Sequence, residues 1–172
     1  MSAGTYRVGF VCLGNICRSP MAEVAVRDLL AEAGLAERVT AFSRGTGDYH
    51  EGDDAHARTV EVLRARGHRP RHVAHQIKPG ELGTTNLVLA LDRANERDLR
   101  RLAGTDEERA RIRLFRSFDP AVGRDHEIPD PYGQPLDAFE AVYDQCLAAG
   151  RGLVAWLEAE GLPAWEAAGR PA

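Results

Sequence analysis

The chain has 172 residues, of which 44% are hydrophobic and 28% are charged, so we expect one compact domain over residues 1–172 with an apolar core. Its net charge of −4 argues against a partner such as nucleic acid or an anionic membrane surface. The sequence has no run of about 18 apolar residues that could span a membrane, no visible secretion signal, and only three cysteines, which is too few for a disulfide-stapled secreted fold. We therefore expect a cytoplasmic protein.

Short apolar runs alternate with helical patterns along the chain. We predict central strands over residues 6–11 and 86–91, and weaker strands over residues 39–43, 72–74 and 112–115. Helices are predicted from Ser19 or Pro20 to Gly34, from Asp53 or Asp54 to Gly67, from Asp92 to Gly104, and along a stripe from Phe139 to Leu157 that Gly150 and Gly152 interrupt. Functional loops are predicted over residues 43–52 and 118–135, and a loosely held tail over residues 161–172. The alternation predicts an open parallel α/β sheet covered by helices on both sides.

The first strand-to-helix turn, residues 12–19 (CLGNICRS), has the composition of a phosphate-binding loop. In open α/β sheets such a turn lies where the amides at a helix N-terminus point at an anion. Gly14 and Asn15 readily take the left-handed conformations that a tight loop needs, and Arg18 offers a fork of donors that matches phosphate oxygens. The positive potential of this loop favours the thiolate form of Cys12, which predicts a nucleophile at its floor.

Residues 11–23, VCLGNICRSPMAE, closely resemble the signature of the low-molecular-weight protein tyrosine phosphatases, in particular the actinobacterial members. The resemblance covers about residues 6–158, with further matches at residues 43–50, 87–99, 116–120 and 130–132. It implies a four-stranded parallel twisted sheet flanked by helices on both sides, with the phosphate-binding loop after the first strand. It also implies a hydrolase that needs no cofactor and no metal and that cleaves phosphotyrosine through a phosphocysteine intermediate.

The resemblance implies a role for each matching residue. Cys12 attacks phosphorus, and Asp130 protonates the leaving phenolate as a general acid. The phosphate oxygens bind to the Arg18 side chain and to the loop amides of Leu13, Gly14, Asn15, Ile16, Cys17, Arg18 and Ser19. A supporting polar network is implied for Ser19, Asn15, Ser43 and His72.

The resemblance also implies a deep slot that suits a phosphotyrosine ring, lined by Ile16, Tyr49 and Tyr132. Ile16 stands where relatives that resemble phosphoarginine phosphatases have Thr, so the aliphatic side chain favours an aryl phosphate. Gly133 and His56 depart from the family pattern, which has an aromatic residue and an Asp there, so the rim and its peptide preference are expected to differ.

Structural roles are also open to the other two cysteines and to two aspartates near the loop. Cys17 either packs in the interior or forms a disulfide with Cys12 under oxidation, which would protect the nucleophile from further oxidation. Cys146 lies on the apolar stripe of the last helix and is expected in the core. Asp92 is expected to cap its helix, with or without a contact to the loop, and Asp130 taken alone fits an ordinary turn before proline.

No metal site is predicted. The C-x4-C spacing of Cys12 and Cys17 has no second ligand pair nearby. Five histidines show no metal-ligand spacing and are expected to be surface or loop residues: His50, His56, His68, His75 and His126.

Two other functions could use the same loop. Arsenate reductases of this fold need further cysteines after the strand that ends at Leu91, and residues 78–105 contain none. A non-catalytic phosphoprotein-binding module would keep the loop without the chemistry, which the presence of both Cys12 and Asp130 disfavours. The predicted partners are phosphotyrosine-containing proteins or peptides, with inorganic phosphate as product and inhibitor, and no oligomeric state is predicted.

Overall fold

The computed structural model describes residues 4–170, and within them the strands form one four-stranded parallel sheet. The strands are β1 (Tyr6–Cys12), β2 (Val39–Gly45), β3 (Leu87–Ala90) and β4 (Ile112–Leu114). Their order across the sheet is β2-β1-β3-β4, and each neighbouring pair is parallel. This confirms the predicted fold class and places β1 and β3 at the centre, as their continuous apolar runs indicated.

Helices connect the strands. Over residues 4–170 they are α1 (Arg18–Glu32), α2 (Ala57–Ala65), α3 (Pro79–Gly83), α4 (Arg93–Leu102), α5 (Asp106–Ala110), α6 (Leu136–Trp156) and α7 (Leu162–Ala167). A 3-10 helix, Phe115–Phe118, follows β4, and a π-helix, Leu157–Gly161, joins α6 to α7. None of the helices in this part of the chain has an apolar stretch of the length needed to cross a bilayer.

Two helices begin at other residues than predicted. Helix α2 begins at Ala57 and not at Asp53 or Asp54, because His56 caps it: the His56 side chain accepts a hydrogen bond from the Arg58 N–H at 3.1 Å. Helix α1 begins at Arg18, so Ser19 lies inside its first turn and is not its cap. This frees the Ser19 hydroxyl for contacts with the loop.

The sheet is buried on both faces, because the side chains of each strand alternate between two apolar layers. Val8 and Phe10 of β1 point into the larger layer, which also contains residues of α1, α2 and α6. Val11, Val88 and Ala90 point into a smaller layer with residues of α3 and α4. Helices therefore flank the sheet on both sides, as predicted.

Predictions for two segments were wrong. Residues 72–74 form no strand; the isolated bridge that follows them joins Gln76 to Gly45 at the end of β2. Residues 162–167 are not loosely held, because they form α7 and the buried Trp165 packs edge-on against Tyr6 with ring centroids 5.5 Å apart. Residues 1–3 and 171–172, which the predictions about a secretion signal and a loose tail include, lie outside the described residues.

The two glycines that interrupt the apolar stripe of α6 have a steric reason. A Cβ at Gly150 would lie 2.8 Å from Leu29 Cδ1 of α1, and a Cβ at Gly152 would overlap the carbonyl oxygen of Phe118. Glycine at these positions therefore allows α6 to lie close to α1 and to the 3-10 helix.

Candidate active site

The loop between β1 and α1 lies at the carboxyl edge of the sheet, where ligands bind in folds of this class. Cys12 ends β1 beside Gly45 of β2. A Cβ at Gly45 would come within 2.8 Å of the Leu13 carbonyl oxygen, so glycine is needed for this close approach. The Thr46 N–H donates to the Cys12 carbonyl at 2.8 Å, and the Gly47 N–H donates to the Leu13 carbonyl at 2.9 Å. The chain after β2 therefore holds the first residues of the loop.

Asn15 fixes the curvature of the loop. Its φ of 57° is left-handed, a conformation that asparagine tolerates better than most residues. Its buried side chain donates from Nδ2 to Ser19 Oγ at 2.8 Å and to Ser43 Oγ at 3.0 Å, and it accepts at Oδ1 from the His75 N–H at 2.9 Å. His72 Nε2 lies 2.6 Å from the Asn15 carbonyl oxygen, to which it donates. The structure thus brings together all four residues of the predicted network.

Cys12 lies at the floor of this loop and is almost fully buried. Its Sγ is 3.0 Å from Ser19 Oγ, so the hydroxyl can donate to a thiolate. The first turn of α1 has no side-chain cap and no acidic residue, which leaves its N–H groups available to an anion. The arrangement can stabilise a negative charge on Cys12 and an oxyanion above it.

Arg18 is buried, and its guanidinium is held by two acceptors. Nη1 donates to Asp92 Oδ2 at 2.6 Å and to the Ile128 carbonyl oxygen at 3.0 Å, while Nη2 lies 3.6 Å from Asp130 Oδ2. Burial alone would lower the pKa of Arg18, but the acidic groups of Cys12, Asp92 and Asp130 outweigh it and raise that pKa above its ordinary value. The guanidinium therefore stays charged beside the sulfur.

Asp92 caps its helix, as predicted, and also contacts the loop. Its Oδ1 accepts from the Asn95 N–H at 2.7 Å at the start of α4, while its Oδ2 accepts from Arg18. One carboxylate therefore connects the end of β3 to the predicted phosphate ligand.

Asp130 lies on the segment between the 3-10 helix and α6, and its side chain is about half exposed. This segment is anchored at Ile128, which is fully buried and donates its N–H to the Leu91 carbonyl at 2.9 Å. Asp130 Oδ1 accepts from the Tyr132 N–H at 3.1 Å. The carboxyl group is thus held opposite Arg18 and remains open to a ligand.

A cavity of about 360 Å³ opens above the sulfur. It is lined by Cys12, Leu13, Gly14, Ile16, Cys17, Arg18, Tyr49, His50, Asp130 and Tyr132. The predicted slot residues are all present, although Tyr49 and Tyr132 are exposed at its rim. His50 was expected to be only a surface or loop residue, whereas it lines the slot, with Nδ1 3.1 Å from Asp53 Oδ2. The signal that could have identified it is its place in the matching segment 43–50.

The two departures from the family pattern lie near Tyr132. The His56 ring stacks on Phe139 with centroids 5.0 Å apart and meets the Tyr132 ring edge-on at 5.7 Å. Burial, together with the charges of Arg58 and His50, lowers the pKa of His56. Gly133 has a left-handed φ of 77°, and a Cβ there would have no neighbour within 4 Å among residues 4–170. At the rim, the His56 ring therefore lies against Tyr132, and the space beside Gly133 is open.

One polar residue of the network was not predicted. Ser43 Oγ donates to Glu23 Oε2 at 2.5 Å, and Glu23 also pairs with Arg27 at 2.7 Å. Glu23 is the last residue of the matching segment 11–23, so its position in the motif was the available signal. The network that begins at Cys12 therefore ends on a carboxylate of α1.

The three cysteines have different surroundings, and all are free thiols. Cys17 lines the cavity but is buried; burial, followed by the charges of Cys12 and Asp130, raises its pKa to about 12. Cys146 is fully buried in the larger apolar layer, which confirms its core position, and burial raises its pKa. At neutral pH, Cys17 and Cys146 are therefore protonated.

Comparisons with known proteins identify the family. The model of the family described as low molecular weight phosphotyrosine protein phosphatase matches residues 7–162. A low molecular weight protein-tyrosine-phosphatase from Streptomyces coelicolor is 49% identical over 152 residues, which cover 88% of this chain and 93% of the relative.

Two solved structures show the same fold. A protein tyrosine phosphatase from Entamoeba histolytica with Hepes in its active site superposes with a TM-score of 0.85 at 29% identity, over 90% of this chain and 97% of the other. A Drosophila arginine phosphatase superposes with a TM-score of 0.82 at 28% identity, over 89% of this chain and 98% of the other. The fold alone therefore does not separate a phosphotyrosine from a phosphoarginine substrate.

Proposed function

The chain belongs to the low molecular weight phosphotyrosine protein phosphatase family, and we propose that it hydrolyses phosphotyrosine in proteins through a phosphocysteine intermediate. It is accordingly a phosphatase of this kind. The observation that supports the mechanism is one cavity that contains the Cys12 sulfur, the Arg18 guanidinium and the Asp130 carboxyl group. A nucleophile, an anion ligand and an acid then lie around the same space.

In the first step, the Cys12 thiolate attacks phosphorus while the bond from phosphorus to the phenolic oxygen breaks. Arg18 and the loop amides bind the non-bridging oxygens, where charge is concentrated in the transition state. Asp130 gives its proton to the departing phenolate, so that neutral tyrosine leaves.

In the second step, water attacks the phosphocysteine. The Asp130 carboxylate accepts a proton from this water, the bond from phosphorus to sulfur breaks, and inorganic phosphate forms. Ser19 Oγ, 3.0 Å from the sulfur, donates to the thiolate as it leaves. The enzyme thereby returns to its starting protonation state.

The nucleophile is tested by Cys12→Ser. We expect hydrolysis of p-nitrophenyl phosphate to be lost while vanadate still binds, because the loop amides and Arg18 remain. Cys146→Ala is the matched control, since it removes a buried thiol outside the cavity. Appreciable turnover by Cys12→Ser would contradict the mechanism.

The acid is tested by Asp130→Ala. General acid catalysis contributes about 10²- to 10⁴-fold, and only a poor leaving group needs its full contribution. We expect the rate to fall much more for phenyl phosphate than for p-nitrophenyl phosphate. Asp137→Ala, which removes an exposed carboxylate on α6, is the control. Equal losses for both substrates would exclude Asp130 as the acid.

We propose that Ile16 and the rim tyrosines select phosphotyrosine. The lining of the cavity supports this proposal, because it includes the aliphatic Ile16 and the exposed rings of Tyr49 and Tyr132. A phosphoserine is too short to contact the rim while its phosphate is in the loop. In a side-by-side assay, phosphotyrosine peptides should be hydrolysed well ahead of phosphoserine and phosphoarginine peptides. Ile16→Thr should reduce the ratio of phosphotyrosine to phosphoarginine hydrolysis. A wild-type protein that hydrolyses phosphoserine or phosphoarginine peptides faster than phosphotyrosine peptides would refute the proposal.

We propose that Cys17 protects the nucleophile. Both thiols line one cavity, so a Cys12 sulfenic acid formed by peroxide can condense with Cys17 to a disulfide and water. Wild type treated with peroxide should regain activity with dithiothreitol, and Cys17→Ser should regain little. Equal recovery by both would assign Cys17 a packing role only.

We also propose that the protein acts in the cytoplasm. Three free cysteines, one of them the nucleophile, support a reducing compartment. Cell fractionation with an antibody to the chain tests this, and recovery outside the cytoplasm would refute it.

A further inference from the structure

A basic stretch of the chain has no part in the proposed mechanism except at its last residue. Residues 64–72, RARGHRPRH, contain four arginines and two histidines and no carboxylate, in a chain whose net charge is −4. The stretch runs from the end of α2 to His72, which contacts the carbonyl oxygen of Asn15. It therefore lies next to the supporting network of the active-site loop.

Three basic side chains of this stretch already have partners. Arg66 pairs with Asp144 at 2.8 Å and lies over the Tyr143 ring at 4.7 Å. His68 Nε2 lies 3.3 Å from Asp28 Oδ2, and His72 donates to the loop. These contacts hold the stretch in place and account for half of its basic side chains.

The other three, Arg64, Arg69 and Arg71, are exposed. Within residues 4–170 their guanidinium groups form no ion pair and no hydrogen bond. Pro70 stands between Arg69 and Arg71 and favours an extended chain there. Holding three exposed guanidinium groups close together is unfavourable unless an anion is present.

These three arginines surround one hollow of about 590 Å³, which we call the basic hollow. Its lining residues are Arg64, Gly67, His68, Arg69, Pro70 and Arg71. As far as the structure describes the chain, this lining contains no carboxylate. The hollow has the size of a ligand site and shares no lining residue with the catalytic cavity.

We propose that the basic hollow docks a short acidic segment, rich in Asp and Glu, of a partner protein. Charge complementarity is the reason, because three arginines without an ion pair in the described part of the chain line a space whose own lining has no carboxylate. The surroundings favour a short segment over an extended polyanion. Two neighbouring hollows that share its arginines do contain carboxylates: one has Arg64 and Arg71 with Asp54, and the other has Arg69 and Arg71 with Glu23 and Asp28. The whole chain is also acidic. Since charges are screened beyond about 8 Å at physiological salt, the attraction is confined to the hollow.

This inference rests on the proposed function in one respect, namely that the docked protein is a phosphoprotein substrate. A segment held in the basic hollow raises the effective concentration of a phosphotyrosine on the same chain at the catalytic cavity. Small aryl phosphates have no such segment. The hollow should therefore affect kcat/KM for proteins and leave the hydrolysis of p-nitrophenyl phosphate unchanged.

Fluorescence anisotropy with a labelled Glu-rich peptide tests docking without any catalysis. We expect the full-length protein to bind this peptide, with an affinity that falls as salt is added, and not to bind the same peptide with Gln at every Glu position. Arg69→Glu/Arg71→Glu should weaken binding about tenfold, the order expected when two exposed charge pairs are replaced by repulsion. Arg97→Glu/Arg151→Glu, which makes the same charge change at exposed arginines elsewhere, should bind like the wild type.

Three outcomes would overturn the proposal: no binding of the Glu-rich peptide, equal weakening in the control variant, or tighter hollow-dependent binding of phosphatidylserine vesicles or single-stranded DNA than of the peptide. A second assay compares a phosphotyrosine peptide with and without a linked Glu-rich segment. The segment should raise kcat/KM in the wild type and in the control variant, but not in Arg69→Glu/Arg71→Glu. If the labelled peptide docks as expected and no phosphotyrosine peptide is hydrolysed, docking stands and the proposed function fails.

Discussion

The contact between Arg18 and Asp92 gives a sharp test of how the loop is prepared for phosphate. Asp92→Asn keeps the size of the side chain but leaves one acceptor oxygen where the structure uses two, one for the Asn95 N–H and one for Arg18. If the remaining oxygen keeps the helix cap, an amide NH₂ faces the buried guanidinium. A hydrogen bond to a charged group contributes about 1.5–3 kcal/mol. Because the Asp92 side chain is partly exposed and Ile128 still accepts from Arg18, we expect a loss of about 2 kcal/mol in the free energy of unfolding.

The same change should lower activity, because Arg18 is no longer held over the loop. If about 1.4–2 kcal/mol is also lost from the transition state, kcat/KM for p-nitrophenyl phosphate falls about 10- to 30-fold, and vanadate inhibition weakens to a similar degree. Thr105→Ala is the control: it removes the cap of α5, where the Thr105 hydroxyl accepts from the Glu108 N–H at 3.1 Å, and should lower stability alone. A folded Asp92→Asn variant with wild-type kcat/KM and vanadate affinity would refute the positioning of Arg18 by Asp92.

Three further predictions concern one histidine at the rim of the cavity and the packing of α6 and α7. Because folding lowers the pKa of His56, the unfolded state takes up a proton first as the pH falls. The melting temperature of the wild type should therefore fall below about pH 6.5, and that of His56→Asn, which keeps a capping side chain, should fall less. Parallel plots of melting temperature against pH for the two proteins would contradict this. Gly152→Ala should lower the free energy of unfolding in urea by about 1–3 kcal/mol, whereas Gly123→Ala, whose Cβ meets nothing within 4 Å in the described chain, should change it little. Trp165→Ala should lower the free energy of unfolding by about 3 kcal/mol and leave kcat/KM unchanged. A loss of activity without a loss of stability would show that α7 has another role.

Features that depend on neighbouring residues in the sequence were predictable. The strands β1 and β3 are continuous apolar runs, and the whole phosphate-binding loop lies in one segment, residues 12–19. The short helices α3 and α5 have five residues each, too few for a periodic pattern to emerge. The segment 72–74 was predicted as a weak strand, but three residues are too few for a periodic pattern, and in the structure Val73 is exposed and Ala74 is buried.

Contacts between distant segments could not be read from local patterns. Trp165 and Leu162 are separate apolar residues near the end of the described chain, and α7 is held by contacts with distant residues. Leu162 is buried, Trp165 packs on Tyr6, and Glu166 pairs with Arg38 at 2.8 Å. The same holds for the site, where Arg18 meets Asp92 and Ile128, 74 and 110 positions further along the chain. The resemblance to a family supplied Asp130, but it did not show that the main chain at Ile128 holds Arg18.

The polar network beneath the loop explains why so many residues are needed to hold one sulfur. Asn15, Ser19 and Ser43 are buried, and a buried polar group is costly unless it has a partner. Each has one here: Ser43 donates to Glu23, Asn15 donates to both serines, and Ser19 is left with its proton for Cys12. The Ser19 hydroxyl, which accepts from Asn15, keeps its proton and can donate it to the sulfur. Two contacts set the directions deeper in the network: the His75 N–H fixes the orientation of the Asn15 amide, and the Glu23 carboxylate accepts a hydrogen bond from Ser43. The network therefore holds a hydroxyl donor beside the Cys12 sulfur before any substrate enters the cavity.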